Sequence, residues 1–156
     1  MKKILSFILV ALFIFSCSST VALASENQSP NTQQSVEYLS DGSYFVTTIE
    51  SSATTSSILS RATSSKSGSK TATYYGANNK AIFYIKVTGS FSYTGSSSTA
   101  KSSSYTIGYY VSGASSSDKG AYTSGKSAIA YATIKYVGSS LYKSVTLSCS
   151  ANGTLS

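Results

Sequence analysis

The stretch AIFYIKVTGSFSYT, residues 81–94, alternates apolar and polar side chains along nearly its whole length. A period of two places successive side chains on opposite faces of a strand, so one face is buried and the other meets water. Gly89 falls in the apolar register, which predicts a bulge or bend at that point. The apolar face comprises Ala81, Phe83, Ile85, Val87, Phe91 and Tyr93.

Weaker versions of the same alternation extend toward the C-terminus. Residues 71–75 and 121–123 predict short strands, and residues 103–111 and 141–149 predict longer ones. In residues 128–137, Ile129 and Tyr131 fall on one side and Ile134 and Tyr136 on the other, which predicts an irregularity between the pairs. No stretch of the mature chain has an apolar period of 3.6. We therefore expect an all-β domain, an antiparallel β-sandwich or small barrel. The inward side chains of the two longer strands are predicted to be Tyr105, Ile107, Tyr109, Val111, Leu141, Val145, Leu147 and Cys149.

Residues 25–70 differ in composition and charge from the alternating strands that follow them. Residues 25–35 predict a flexible segment, and residues 36–50 predict a β-hairpin around Asp41-Gly42, because glycine takes a positive φ without penalty. Residues 51–70 are rich in Ser and Thr and predict a linker. Residues 25–60 carry four acids and no base, for a net charge of −4. Residues 61–156 carry Arg61 and nine lysines against Asp118, for a net charge of +9.

This charge reversal predicts an acidic leader over residues 25–70 and a basic β domain over residues 71–156. Arg61 lies at the reversal and is a candidate site for removal of a pro-segment. Without such processing, the mature chain carries a net charge of +5.

Residues 1–24 have the order of a secretory signal peptide: two lysines, an apolar run over residues 4–15 and a small-residue site. Cleavage is predicted between Ala24 and Ser25, which gives a secreted protein. The apolar run is shorter than the ~20 residues that a bilayer span needs, so no transmembrane segment is expected after cleavage. An alternative is the lipobox-like sequence Ile14-Phe15-Ser16-Cys17, which would leave a lipoprotein anchored through Cys17.

Composition excludes several kinds of active site. The chain has no histidine, and Cys149 is the one cysteine left after cleavage. Histidine-based triads, histidine-ligated metals and multi-cysteine zinc sites are therefore excluded. We expect no enzyme activity, no metal and no cofactor. The serine–lysine pattern S-x-x-K occurs at residues 67–70, 98–101, 116–119 and 140–143, but this composition produces it by chance.

Tyrosine and lysine side chains are the candidate binding residues. Tyr84, Lys86, Tyr110 and Tyr142 fall opposite the apolar faces of their strands. Exposed tyrosine beside lysine can stack on sugars or contact anionic polymers. Alternatively, a second sheet covers these rings, or they form ordinary cross-strand pairs.

The charge of the basic domain indicates attraction to polyanions such as wall teichoic acid, anionic lipid or extracellular DNA. Its lysines are spread singly, which gives no sign of a dedicated nucleic-acid site. Alternatively, they keep the protein soluble and protect strand edges. We expect a non-enzymatic exported protein that associates with the cell envelope or another anionic extracellular polymer. The alternatives are a membrane-active or bacteriocin-like antagonist and a matrix or fibre subunit. The sequence carries no signal for an oligomeric state.

Three stretches resemble a family of small secreted β-rich proteins of Gram-positive bacteria: EYLSDGSYFVTTI (37–49), KSGSKTATYY (66–75) and VTLSCSANGTLS (145–156). The resemblance covers most of the mature chain and supplies no catalytic residues. It implies that related proteins carry a second cysteine near the position of Ala100, able to pair with the counterpart of Cys149. This chain departs from that pattern at Ala100.

Overall fold

The computed structural model describes residues 32–52 and 63–156, which form eight β-strands and no helix. Every neighbouring pair of strands is antiparallel and consecutive in the chain. Two sheets pack face to face, which confirms the predicted all-β sandwich. Sheet A contains, in spatial order, β1 (Gln33–Tyr38), β2 (Tyr44–Ser51), β3 (Ser64–Tyr75), β4 (Ala81–Tyr93) and β5 (Ser98–Tyr109), and sheet B contains β6 (Ser115–Ser124), β7 (Ser127–Tyr136) and β8 (Ser139–Ser148).

The core lies between β4 of sheet A and β7 of sheet B. The predicted apolar face of β4 is buried, including Phe83, Ile85, Val87 and Phe91. Small side chains on β7 let the sheets approach closely. A Cβ atom at Gly89 would lie 2.6 Å from the Cβ of the facing alanine, so Gly89 is required for this approach. The facing side chains of β7 are Ala128, Ala130, Ala132 and Ile134.

The predicted irregularity of β4 lies beside Gly89 and not at it. The register with β5 shifts between Ser90 and Phe91, where Lys101 is the extra residue on β5. The expected irregularity in β7 is absent from its pairing with β8, which runs unbroken along the strand. Ile129 and Ile134 occupy odd and even positions of one regular strand, so they simply face opposite ways. The bulge lies in the partner strand β6, between Ser117 and Gly120.

Serine-rich segments that predict loops form strands instead. Residues 64–70, expected as linker, are the first half of β3 and pair with β4. The acidic hairpin forms as predicted but begins earlier, at Gln33, and its strand β2 pairs with β3. The acidic and basic regions therefore share one sheet. Small hydroxyl side chains do not prevent an extended backbone, and pairing with β4 satisfies its polar groups. Residues 98–102 and 115–120 lie outside the strands predicted at residues 103–111 and 121–123, yet they belong to β5 and β6.

The predicted burial is observed for Cys149 near the C-terminus, but only in part for the tyrosines of the edge strand β5. Cys149 is completely buried, as expected. Tyr105 and Tyr109 pair with inward residues of β4 but remain 40% and 39% exposed, because β5 is an edge of sheet A. In residues 32–52 and 63–156, no helix is long and apolar enough to cross a bilayer. The signal peptide (1–24), the cleavage site Ala24–Ser25, Cys17 and Arg61 lie outside the described residues.

Candidate functional site

The two sheets differ in width, and the difference leaves a cleft along one side of the sandwich. Sheet B packs over β3, β4 and β5, so the inner face of β1 and β2 extends past the edge of β8. We call the resulting space the basic cleft. Its floor is the inner face of β1–β3, and its wall is formed by residues 143–146 of β8 and the C-terminal residues 154–155.

The basic cleft follows the direction of β1. It contains two successive open volumes of about 120 Å³ and about 330 Å³. Gln33 lines the smaller volume, whereas Ser35 and Glu37 line the larger one. These three residues alternate along the strand, so they share its inner face. The arrangement suits an extended ligand that lies parallel to the strands.

Two lysines of β3 project into the cleft. Lys66 and Lys70 pair with Phe91 and Val87 of β4, whose side chains point inward, so both lysines face the same side. Their four-residue separation corresponds to about 13 Å along a strand. Both are half-buried, and among the described residues neither has a carboxylate within ion-pair distance. Burial lowers the pKa of Lys70 below its ordinary value, because desolvation disfavours the charged form.

Lys143 enters the cleft from the opposite sheet. It pairs with buried Ala132 of β7, so its side chain points toward sheet A. Its Nζ lies 2.8 Å from Oε2 of Glu37 on β1 and 3.9 Å from the ring centroid of Phe45 on β2. The ring face attracts the ammonium group. Lys143 thereby links sheet B to β1 and β2, the two strands of sheet A that sheet B does not cover.

The remaining lining is neutral and rich in hydroxyl groups. Main-chain groups along the edge of β8 add to it. One edge of β8 pairs with β7, and the other edge faces the cleft. On the cleft edge, Ser148 exchanges two main-chain hydrogen bonds with Ser156, at 2.9 and 3.0 Å, but no described strand pairs with residues 143–147 there. Lysine ammonium groups, hydroxyls and edge N–H groups can all donate to an anion. The hydroxyl and amide side chains are those of Gln33, Ser35, Thr47, Ser51 and Thr154, whereas Ser144 and Thr146 face outward in the register of β8 and contribute main-chain groups.

The four binding residues predicted from sequence do not form one site. Tyr84 and Tyr110 contact each other on the outer face of sheet A, with ring centroids 5.8 Å apart. Lys86 lies two residues further along the same face, where its Nζ is 3.7 Å from a carboxylate oxygen of Glu50. Tyr142 is exposed on the outer face of sheet B.

Three further tyrosines extend the Tyr84–Tyr110 pair across sheet A. The rings of Tyr38 and Tyr44 are 5.5 Å apart, and those of Tyr44 and Tyr75 are stacked at 5.0 Å. All five rings lie toward the same end of the outer face of sheet A, and we call them the tyrosine row. Ring contacts join them in two groups, Tyr38–Tyr44–Tyr75 and Tyr84–Tyr110, so cross-strand pairing accounts for the contacts within each group. This was one of the alternatives that the sequence left open.

Other candidates show structural roles or exposed contacts. Asp41 accepts hydrogen bonds from the hydroxyl and the main-chain N–H of Ser43, and these bonds lower the pKa of its carboxyl group. It therefore has the predicted turn role. Among the S-x-x-K pairs, Lys119 donates to the Ser116 hydroxyl over 3.2 Å on the exposed strand β6. In the part of the chain that the structure describes, no three His, Cys, Asp or Glu residues lie close enough to hold a metal ion.

Sequence reasoning missed the basic cleft because two of its lysines lie in the presumed linker. A signal was nevertheless present. Lys66 and Lys70 are an even number of residues apart, and Lys143 lies in the apolar register of Leu141 and Val145. A lysine in the inward register of a half-buried strand indicates an opening in the core or a counter-charge.

Comparisons of the chain with protein-family models, with curated proteins and with solved structures found no match. A function is therefore inferred from the geometry of the chain's own residues.

Proposed function

We propose that the mature protein is an exported, non-enzymatic β-sandwich that binds an anionic extracellular polymer, such as a phosphate-rich cell-wall polymer, in the basic cleft. The observation that carries the proposal is the pair Lys66 and Lys70. Both are half-buried on an inward face, and no described carboxylate neutralises them.

The electrostatics of the cleft favour an anionic ligand. Removing an ammonium group from water without a counter-charge costs free energy, and the lowered pKa of Lys70 reflects this cost. A bound anion supplies the missing charge. Since the two lysines are spaced along β3, a polymer with repeated charges satisfies both, whereas a single small anion reaches one of them.

The shape of the cleft also favours a linear ligand. The two open volumes succeed each other along β1, and hydroxyl groups line both. Export, predicted from residues 1–24, would bring the protein to polymers of this kind outside the cell. The tyrosine row is a weaker candidate for an anion, because the cation beside it, Lys86, is already paired with Glu50.

The test is binding of the purified mature protein to bacterial cell walls, before and after acid extraction of their phosphate polymers, across a salt series. We expect binding that is lost on extraction and weakens with salt. Replacing Lys66→Gln and Lys70→Gln together should weaken binding by roughly fivefold per lysine, on the scale of about 1 kcal/mol for each lysine near an anionic surface.

A matched control separates the cleft from overall charge. Lys101→Gln with Lys135→Gln removes the same charge at exposed positions on β5 and β7. An equal loss in both double variants would contradict a cleft site. Release of dye from anionic liposomes would instead favour the membrane-active alternative, and growth of light scattering by the protein alone would favour a fibre subunit.

A further inference from the structure

Among the described residues, three lysines line the cleft, and two of them, Lys66 and Lys70, have no carboxylate partner. Lys143 already holds a carboxylate: Oε2 of Glu37 lies 2.8 Å from its Nζ. The two partners differ in environment, since the side chain of Lys143 is 18% exposed and that of Glu37 is 60% exposed. The carboxylate is thus held at the mouth of the cleft by a more deeply placed cation.

The position of Glu37 allows it to leave. It lies on β1, an edge strand whose six residues are all exposed. Lys143 is fixed more firmly, because Phe45 lies beneath its ammonium group and β8 pairs with β7 along its length. Rotation of the Glu37 side chain into water would uncover Lys143 without any change in the sheets.

We propose that Glu37 is an internal competitor for the anion position at Lys143, displaced when the polymer binds. This inference rests on the proposed function of the basic cleft. The larger of the two open volumes is lined by Lys70, Lys143 and Glu37 together. A polymer that reaches Lys70 therefore meets Glu37 next. Displacing it adds a third lysine to the binding site and removes the repulsion between the carboxylate and the ligand.

The experiment compares Glu37→Gln with Glu50→Gln, using long-chain inorganic polyphosphate as the probe. Both changes remove one carboxylate from an ion pair, but Glu50 pairs with Lys86 on the outer face of sheet A. We expect Glu37→Gln to tighten binding about two- to fivefold, the range that an exposed ion pair corresponds to. The slope of log affinity against log salt should change little, because Lys143 contacts the polymer in both complexes once Glu37 has been displaced. Glu50→Gln should not tighten binding by a comparable amount.

A second background distinguishes competition from a structural role. Lys143→Met keeps a long side chain over Phe45 but removes the cation. Lys143→Met alone should make the plot of log affinity against log salt shallower by about 0.7–0.9, the contribution of one lysine. In that background Glu37→Gln should tighten binding less than in the unsubstituted protein, because the carboxylate no longer competes for a cation. Circular dichroism melting of each variant verifies that the sheets are intact.

The outcomes separate this inference from the function on which it rests. If the unsubstituted protein fails to bind polyphosphate or cell walls, the proposed function is contradicted. If it binds, but Glu37→Gln weakens binding, leaves it unchanged, or matches Glu50→Gln, the cleft is retained and the role of Glu37 is overturned.

Discussion

The sandwich is closed in different ways at the basic cleft and at the end of the molecule where residues 95–100 meet residues 125–126 and 149–151. At this closed end, main-chain hydrogen bonds join the sheets and their loops: Gly95 donates to Ala151 and Ala100 donates to Gly125, both over 2.9 Å. At the cleft, side chains link the sheets: Lys143 of sheet B pairs with Glu37 and lies over the ring of Phe45 in sheet A.

Stability and binding therefore depend on different parts of the interface between the sheets. The closed end contains the buried side chains of Ala100 and Cys149 as well as main-chain hydrogen bonds, and both are costly to disturb, so changes there should alter the free energy of unfolding. Partly exposed charges contribute little to stability but strongly to the attraction of an ionic ligand. Changes in the cleft should therefore alter binding more than folding.

The largest expected effect comes from adding a disulfide to the closed end. Ala100 and Cys149 are both buried, and their N–H groups donate to the consecutive residues Gly125 and Lys126. Ala100→Cys should therefore form a disulfide with Cys149. For a loop of this length the chain-entropy model predicts an increase of about 4 kcal/mol in the free energy of unfolding. Guanidinium unfolding with and without reductant measures it.

Ala100→Ser is the control for this variant, since it adds a side-chain hydroxyl at the same position but cannot form a disulfide with Cys149. Polymer binding by the disulfide form should be unchanged. An unfolding midpoint that does not respond to reductant would show that the two positions are not brought together as described.

A smaller effect is expected where the two sheets approach most closely. At Gly89 a methyl group would lie 2.6 Å from Cβ of Ala128 and 2.9 Å from Cζ of Phe91. Gly89→Ala should lower the free energy of unfolding by about 1–3 kcal/mol through overpacking. Thr88→Ala, on the exposed face of the same strand, should change it by only about 0.5 kcal/mol. A stabilised Gly89→Ala variant would contradict the close approach.

The smallest effect on stability is expected in the cleft, where a substitution should raise the free energy of unfolding, whereas Gly89→Ala lowers it. Lys70 has a folded-state pKa below its ordinary value of 10.5, so the folded state disfavours its charge. This penalty is fully present below the folded pKa and disappears as pH rises from there toward 10.5. Lys70→Met should therefore raise the free energy of unfolding at neutral pH by up to about 1 kcal/mol, discounted for the partial exposure of the side chain.

The same variant should bind the polymer more weakly, which makes it the clearest separation of folding from function. Its stability advantage should shrink as the pH approaches 10.5. Thermal melts at neutral and alkaline pH measure this difference. Burial raises the pKa of Cys149, but that thiol is common to both proteins and its effect cancels. A Lys70→Met protein that is less stable at neutral pH would contradict the desolvation of Lys70.

Much of the fold could be predicted from local patterns. The alternation in residues 81–94 identified the buried face of β4, and Asp41-Gly42 identified the first hairpin, in which Gly42 has a φ of 79°. The serine-rich part of β3 could not be predicted, because serine gives no periodic contrast of hydropathy. Whether such a segment is loop or strand depends on a partner distant in sequence, here the second half of β4.

The candidate site was less predictable than the fold. Tyr84, Tyr110 and Tyr142 were predicted to lie opposite the apolar faces of their strands. The structure brings Tyr84 and Tyr110 together on the outer face of sheet A, pairs Lys86 with Glu50, and places Tyr142 on the other sheet. The lysines of the cleft come from β3 and β8, more than seventy residues apart. Their convergence depends on how far sheet B covers sheet A, which no local pattern encodes.

The fold class follows from local sequence, because alternating side chains with little charge have one stable arrangement, a sheet with its apolar face buried. The tertiary structure alone decided where positive charge is concentrated. Strand register turned Lys66, Lys70 and Lys143 inward, and the narrower second sheet left them an opening. Burial of apolar area acts on each strand separately, whereas the electrostatics of a cleft depend on distances between strands that meet only in the folded chain.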